Sequence, residues 1–205
     1  VPAHLAVDAR RELVYRGLNT RSRERDREPT DAELSRLCAH WEANPRQKID
    51  MPTIVRFALA TAMRQDEICR SELEDVDAIN RTVVIRDRKD PRAKAGNNQT
   101  VPLLPAAWAI VEPILRERSV GTVFPFTRAV AALGIEDLHF HDLRHRATAD
   151  LFRQGLDIPR VALMTGHKTW AQLKRYTAIK PEDVHRALEK RTTNNVVPMK
   201  KSRRA

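Results

Sequence analysis

Between Leu73 and Leu104 the hydrophobic periodicity switches from helix to strand, and this switch constrains the fold more tightly than any other feature of the chain. Thr82-Val83-Val84-Ile85-Arg86 is a β-branched run, and Gln99-Thr100-Val101-Pro102-Leu103 is its return, with the polar stretch Asp87 to Asn98 between them. Helical patterns lie on both sides of this hairpin. The expectation is therefore a mostly α-helical α+β domain with a small antiparallel β-sheet at one edge. The connection holds Lys89, Lys94 and Gly96, and a lysine at a hairpin tip can reach into a neighbouring site.

The helices can be placed from their start signals. In Pro29-Thr30-Asp31-Ala32-Glu33, Thr30 caps and Glu33 is its reciprocal partner, ahead of an apolar stripe of Leu34, Leu37, Cys38 and Trp41. A second helix runs from about Met51-Pro52 to Ala62, its proline in the first turn, where a missing amide donor costs nothing. Arg64 stands where this apolar helix gives way to Gln65-Asp66-Glu67. Because a buried guanidinium without a partner is costly, Glu67 is read as its orienting counterion; an ordinary helix salt bridge is the alternative. Pro105 opens a helix carrying Trp108, Ile110, Val111, Ile114 and Leu115, bent at Pro113. From Phe140 to Phe152, the residues Phe140, Leu143, Ala147 and Leu151 form a buried stripe, and His141, Arg144 and Thr148 share a neighbouring face. Beyond Gly155, short helices are expected from Ile158-Pro159 to Gly166-His167 and from Trp170 to Tyr176, and Pro181-Glu182-Asp183 begins a last one.

The 205 residues include 37 Lys plus Arg against 27 Asp plus Glu, a formal charge of +10. This balance favours a polyanionic partner, above all nucleic acid, with a basic solvated surface as the alternative. No apolar run is long enough to span a bilayer and no signal-peptide pattern is present, so a soluble, cytoplasmic protein with no membrane partner is expected. Cys38 and Cys69 fall in helical runs and are read as reduced core thiols, without a metal site. Residues 1–28 are charge-dense with little apolar periodicity and read as a basic linker, residues 29–192 as the domain proper, and residues 193–205 as a basic flexible tail.

In chain order, Arg64, Lys94, His141, Arg144, His167 and Tyr176 resemble the catalytic set of the tyrosine recombinases, the phage integrase family. The motifs that carry the resemblance are Arg64 with Glu67, a hairpin lysine seven residues before Val101-Pro102, His141-x-x-Arg144, Gly166-His167 and Arg175-Tyr176-Thr177. They span about Pro29 to His185. Lys94 has the family's spacing, and Lys89 is the alternative. The sequence departs from the family in a short passage between Val123-Phe124-Pro125 and Gly134-Ile135, in Ala62 where glycine is usual, and in Thr165 where leucine is common. The resemblance implies the catalytic core fold of DNA breaking-rejoining enzymes. It also implies that a separate core-binding domain precedes the linker, making this chain a fragment.

The function implied is site-specific recombination or integration of DNA, as in phages and mobile elements, through a 3′-phosphotyrosine and without cofactor, metal or ATP. Arg64 and Arg144 would hold the phosphate, Tyr176 would attack it, His141 would act as base, Lys94 as acid, and His167 as a hydrogen-bond donor, with Glu67 in support. The partner implied is a double-stranded DNA attachment site on which a homotetramer assembles, the fragment alone being monomeric. Two alternatives remain: a type IB topoisomerase-like or resolvase activity with the same site, and a non-catalytic DNA-binding remnant.

Overall fold

The computed structural model describes residues 3–17, 27–44, 46, 49–90, 96–124 and 138–177. Its helices are α1 (Ala3–Tyr15), α2 (Asp31–Glu42), α3 (Met51–Thr61), α4 (Gln65–Arg70), α5 (Pro105–Glu117), α6 (Phe140–Arg153) and α7 (Ile158–Thr165). The strands are β1 (Val76–Asp77), β2 (Thr82–Ile85) and β3 (Gln99–Pro102), and single 3-10 turns cover Leu73–Asp75, Trp170–Gln172 and Lys174–Tyr176. The expected mostly helical α+β architecture is thus present, with one three-stranded antiparallel sheet in the order β1-β2-β3.

Helix α3 is the centre of the packing because it is apolar nearly all round. Met51, Ile54, Val55, Phe57 and Ala58 are all buried, and α2, α5 and α6 pack against it. A helix with no polar face has no stable place at a surface. Asp50 caps it, accepting from the Thr53 N–H at 3.0 Å. Helix α6 presents Phe140, Leu143, Ala147 and Leu151 to the core, as its spacing predicts. The Thr30–Glu33 capping box of α2 is fully formed. Arg146 of α6 donates to Pro29 O at 3.0 Å and pairs with Asp31, which ties the start of α2 to α6.

In the sheet, Val83 faces Val101 and Ile85 faces Gln99; Val83, Ile85 and Val101 turn into the core. Beyond the paired strands the hairpin continues through Arg88, whose N–H donates to Asn97 O at 2.8 Å. Its far end, residues 91–95, lies outside the described residues.

Some expectations change. Helix α1 occupies Ala3–Tyr15, inside the stretch read as linker. The dense charges mask a helical segment whose Leu13, Val14 and Tyr15 stay exposed, so no apolar stripe was there to signal it. The short edge strand β1 was not anticipated, two residues being too few to show a period. Trp170 to Tyr176 forms two 3-10 turns rather than one α-helix. Cys38 and Cys69 are free thiols but only partly buried. The helix expected from Pro181, the passage from Phe126 to Gly134 and the tail lie outside the described residues.

Candidate active site

Two helix C-termini meet at the Arg144 guanidinium, and their unpaired carbonyls organise the site. The last carbonyls of an α-helix have no partner within it. In α7 these are filled by arginines from elsewhere: Arg88 donates to Leu163 O at 3.2 Å and Met164 O at 2.8 Å, and Arg144 donates to Thr165 O at 2.6 Å. At the end of α3, Arg144 donates to Ala62 O at 2.7 Å. Ala62 itself is a left-handed cap with φ 53°. The turn that glycine usually makes here is therefore formed by alanine, and its carbonyl is aimed at Arg144.

Glu67 lies among the guanidinium groups with 3% of its surface exposed. It accepts from Arg64 Nη1 at 2.6 Å, from the Arg64 backbone N–H at 2.9 Å and from Arg88 Nε at 3.2 Å. Burial alone would raise its carboxyl, but the Arg88 and Arg64 charges outweigh that and hold it below its ordinary value. Burial, followed by repulsion from Arg64, presses Arg144 down to about 9, which leaves it charged at neutral pH. One buried carboxylate thus stands among three arginines.

Beside this network opens a cleft of about 350 Å³ lined by Met63, Arg64, Gln65, Asp66, Lys89, Phe140, His141 and Arg144. Among the described residues, the buried Nε2 of Gln65 has no hydrogen-bond partner, so a donor is available at the cleft wall. His141 is exposed, yet partial burial of its ring, followed by His145 and Arg144, lowers it to about 4. His167, half-buried just past α7, is lowered to about 3 by burial and then by Arg144, Arg64, Arg175 and Arg88. Both imidazoles are held neutral by burial first and by the surrounding positive charge second.

His167 Nδ1 lies 2.7 Å from Thr165 Oγ1, and that hydroxyl donates to Val161 O at 2.7 Å. The hydroxyl has only one hydrogen, so Nδ1 is the donor and the neutral ring presents a bare Nε2. The threonine that replaces the family's usual leucine therefore sets the tautomer of its neighbour.

The structure brings Arg64, Glu67, His141 and Arg144 together as anticipated and sets His167 within reach of their charge. Lys94 lies outside the described residues, whereas Lys89, its alternative, lines the cleft. Tyr176 is hydrogen-bonded through its hydroxyl to His145 Nδ1, not to His141. His141 and His145 stack edge-on with ring centroids 4.8 Å apart. Sequence reasoning passed over His145 and Arg88. The first could have been found from its place four residues after His141, one turn along the same face. The second follows a strand without any periodic signal.

Comparison with known proteins agrees with this picture. A family model described as the phage integrase family matches residues 29–183. The shufflon-specific DNA recombinase of Escherichia coli is 33% identical over 166 residues, covering 76% of this chain and 41% of that protein. The integrase of Salmonella phage P22 is 25% identical over 156 residues, covering 64% of this chain and 40% of that protein. The chain thus spans less than half the length of either relative. Among solved structures, the Tn1549 transposon integrase in complex with transposon right end DNA matches with a TM-score of 0.60 at 14% identity, over 86% of this chain and 69% of that one. The catalytic domain of bacteriophage HP1 integrase matches with a TM-score of 0.57 at 22% identity, over 82% of this chain and 96% of that one. At these identities the likeness to the solved structures is one of fold.

Proposed function

The chain belongs to the phage integrase family, and on that premise we propose that the cleft is the active site of a site-specific DNA recombinase that cuts and rejoins strands through a 3′-phosphotyrosine. The observation that carries this reading is the convergence of Arg64, Lys89, His141 and Arg144 on one cleft. A DNA phosphodiester is an anion that repels nucleophiles. The Arg64 and Arg144 guanidinium groups would hold its non-bridging oxygens and stabilise the charge that grows in the transition state, each such contact typically contributing about a hundredfold or more. Their orientation is set in advance by Glu67 and by the carbonyls of Ala62 and Thr165.

Tyr176 is the nucleophile, and its oxygen forms the new bond to phosphorus as the 5′ oxygen departs. Lys89 is the acid that protonates this leaving group. The tyrosyl ester conserves the energy of the broken bond, so a 5′ hydroxyl from another strand can reverse the step without ATP or metal. His167, once protonated, donates from Nε2 to a phosphate oxygen. Assembly as a tetramer on a double-stranded attachment site is part of the same proposal.

The test is covalent capture. The protein is incubated with a pool of duplexes of randomised sequence that carry a 5′-bridging sulfur in an intact linkage close to a nick, so that cleavage releases a thiolate that cannot religate. After denaturation, a DNA-linked protein band is expected, and Tyr176→Phe abolishes it. Binding without any covalent species would leave a DNA-binding module in place of an enzyme.

A further inference from the structure

The family resemblance implies His141 as the base, but the phenol is hydrogen-bonded to a different ring. The Tyr176 hydroxyl is hydrogen-bonded to His145 Nδ1, with the two ring centroids 5.9 Å apart and the planes 31° apart. His145 is 5% exposed, whereas His141, one turn earlier on α6, lies on the solvent side and lines the cleft. The two imidazoles are thus separated by role as well as by place. One faces the position of the phosphate, and the other is enclosed against the nucleophile.

The charges around the phenol favour its ionisation. Arg144 and Tyr176 are close enough for the phenolate to raise the guanidinium's proton affinity, and the Arg175 guanidinium carbon lies 5.4 Å from the Tyr176 ring centroid. Positive charge on both sides stabilises a phenolate but takes no proton from it. A neutral imidazole at hydrogen-bond distance does, and burial holds it in that position.

Resting on the recombinase reading above, we propose that His145, rather than His141, is the group that accepts the Tyr176 proton. In the step, the Tyr176 O–H bond breaks and its proton passes to Nδ1 of a neutral His145 carrying its hydrogen on Nε2. The phenolic oxygen bonds to phosphorus, the bond from phosphorus to the 5′ oxygen breaks, and that oxygen takes a proton from the lysine acid. In the rejoining step the His145 imidazolium returns its proton to the departing phenolate. His141 is left as a hydrogen-bonding group in the phosphate cleft.

The test uses the same sulfur-bridged duplexes, because a thiolate leaves without protonation and the rate then reports on the nucleophile alone. His145→Gln is expected to slow formation of the tyrosyl-DNA species by about a hundredfold or more, with DNA binding unchanged. Fluorotyrosine at position 176 has a more acidic phenol and should restore much of that loss, while doing little for His141→Gln. A positioning role alone would give no such rescue. The proposal is overturned if His145→Gln reacts within about threefold of the wild type, or if fluorotyrosine rescues His141→Gln and not His145→Gln. Should His145→Gln misfold, nitrogen NMR of the unaltered protein decides: Nδ1 of His145 must be unprotonated and must shift in Tyr176→Phe, and a protonated Nδ1 refutes the assignment. Failure of the wild type itself to form the tyrosyl-DNA species would instead overturn the recombinase reading.

Discussion

Gly166→Ala is expected to be among the most damaging single-methyl changes in the chain, and Gly155→Ala provides its control. Both glycines are left-handed, with φ of +70° and +89°. An alanine in that region costs about 1 kcal/mol from backbone strain alone. At Gly155 nothing lies within 4 Å of the added carbon, so that cost is the whole effect. At Gly166 the new Cβ falls 2.4 Å from Arg88 Nε and 2.6 Å from its Cζ. Arg88 is 0% exposed and has nowhere to retreat. Displacing it strips Glu67 of one cation and takes the Arg88 donor from Met164 O, while Leu163 O keeps its bond from Gln99 Nε2, and breaking a buried ion pair on one side costs about 3–5 kcal/mol. The sum of about 4–6 kcal/mol is a large share of the roughly 5–15 kcal/mol that holds a domain together. Urea unfolding of the two variants measures the difference directly. If Gly166→Ala unfolds at the same denaturant concentration as Gly155→Ala, Arg88 is not pinned as described. A further check is the double variant Arg88→Ala with Gly166→Ala, which should be less destabilised than the two single losses added together, since the collision is gone.

Stability should fall as pH drops below about 6.5. The unfolded chain takes up histidine protons near that ordinary value, whereas the folded chain resists until about 4 at His141 and about 3 at His167. Denaturation at pH 7, 6 and 5 tests this: a flat profile contradicts it, and His167→Gln should lessen the slope. Glu67→Gln is expected to destabilise by roughly 3–5 kcal/mol, because it leaves buried guanidinium charge without its counterion; calorimetry showing less than about 1 kcal/mol would rule out Glu67 as the hub. Lys89→Ala should slow strand cleavage by about a hundredfold or more on an ordinary phosphodiester and recover on the sulfur-bridged one, whose leaving group needs no acid. Were Lys94→Ala to show that pattern and Lys89→Ala not, the lysine acid would be Lys94.

Periodicity made the core helices legible because burial and period report on the same thing. The buried stripe of α6 and the all-round burial of α3 both follow from apolar spacing. The cap on α2 was legible because Thr30 and Glu33 are a local pair three residues apart. What the sequence concealed are contacts between distant segments. Arg88 reaches 75 and 76 residues along the chain to α7, and nothing local to a strand end marks a guanidinium as buried. The sequence placed His141 and Arg144 on one face but could not show which imidazole the Tyr176 turn would meet, because that depends on how the 3-10 turns after Gly166 bring the chain back to α6. Spacing to Val101-Pro102 favoured Lys94, whereas the strand end next to the Arg88 anchor puts Lys89 at the cleft.

The arrangement of arginines explains how a site so positive can be stable before any anion arrives. Three guanidinium groups share one buried carboxylate, which leaves charge in excess. Part of the balance comes from helix ends: Ala62 O closes α3, and Leu163 O, Met164 O and Thr165 O close α7. A helix C-terminus carries about half a negative charge, so two termini offset much of what Glu67 does not, with dipoles that are fixed and cannot titrate. Burial depresses His141 and His167, and the remaining positive excess lowers them further. A bound phosphate would supply the missing negative charge and raise both histidines towards their ordinary value. His167, whose Nδ1 hydrogen is engaged by Thr165, can donate to the phosphate only after taking a proton at Nε2. DNA binding should therefore take up protons near pH 6, measurable as a dependence of binding enthalpy on the ionisation heat of the buffer. Thr165→Leu frees Nδ1 and lets the neutral ring turn its donor to the phosphate. The uptake should then shrink, and an undiminished uptake in that variant would show that the tautomer is not set by Thr165.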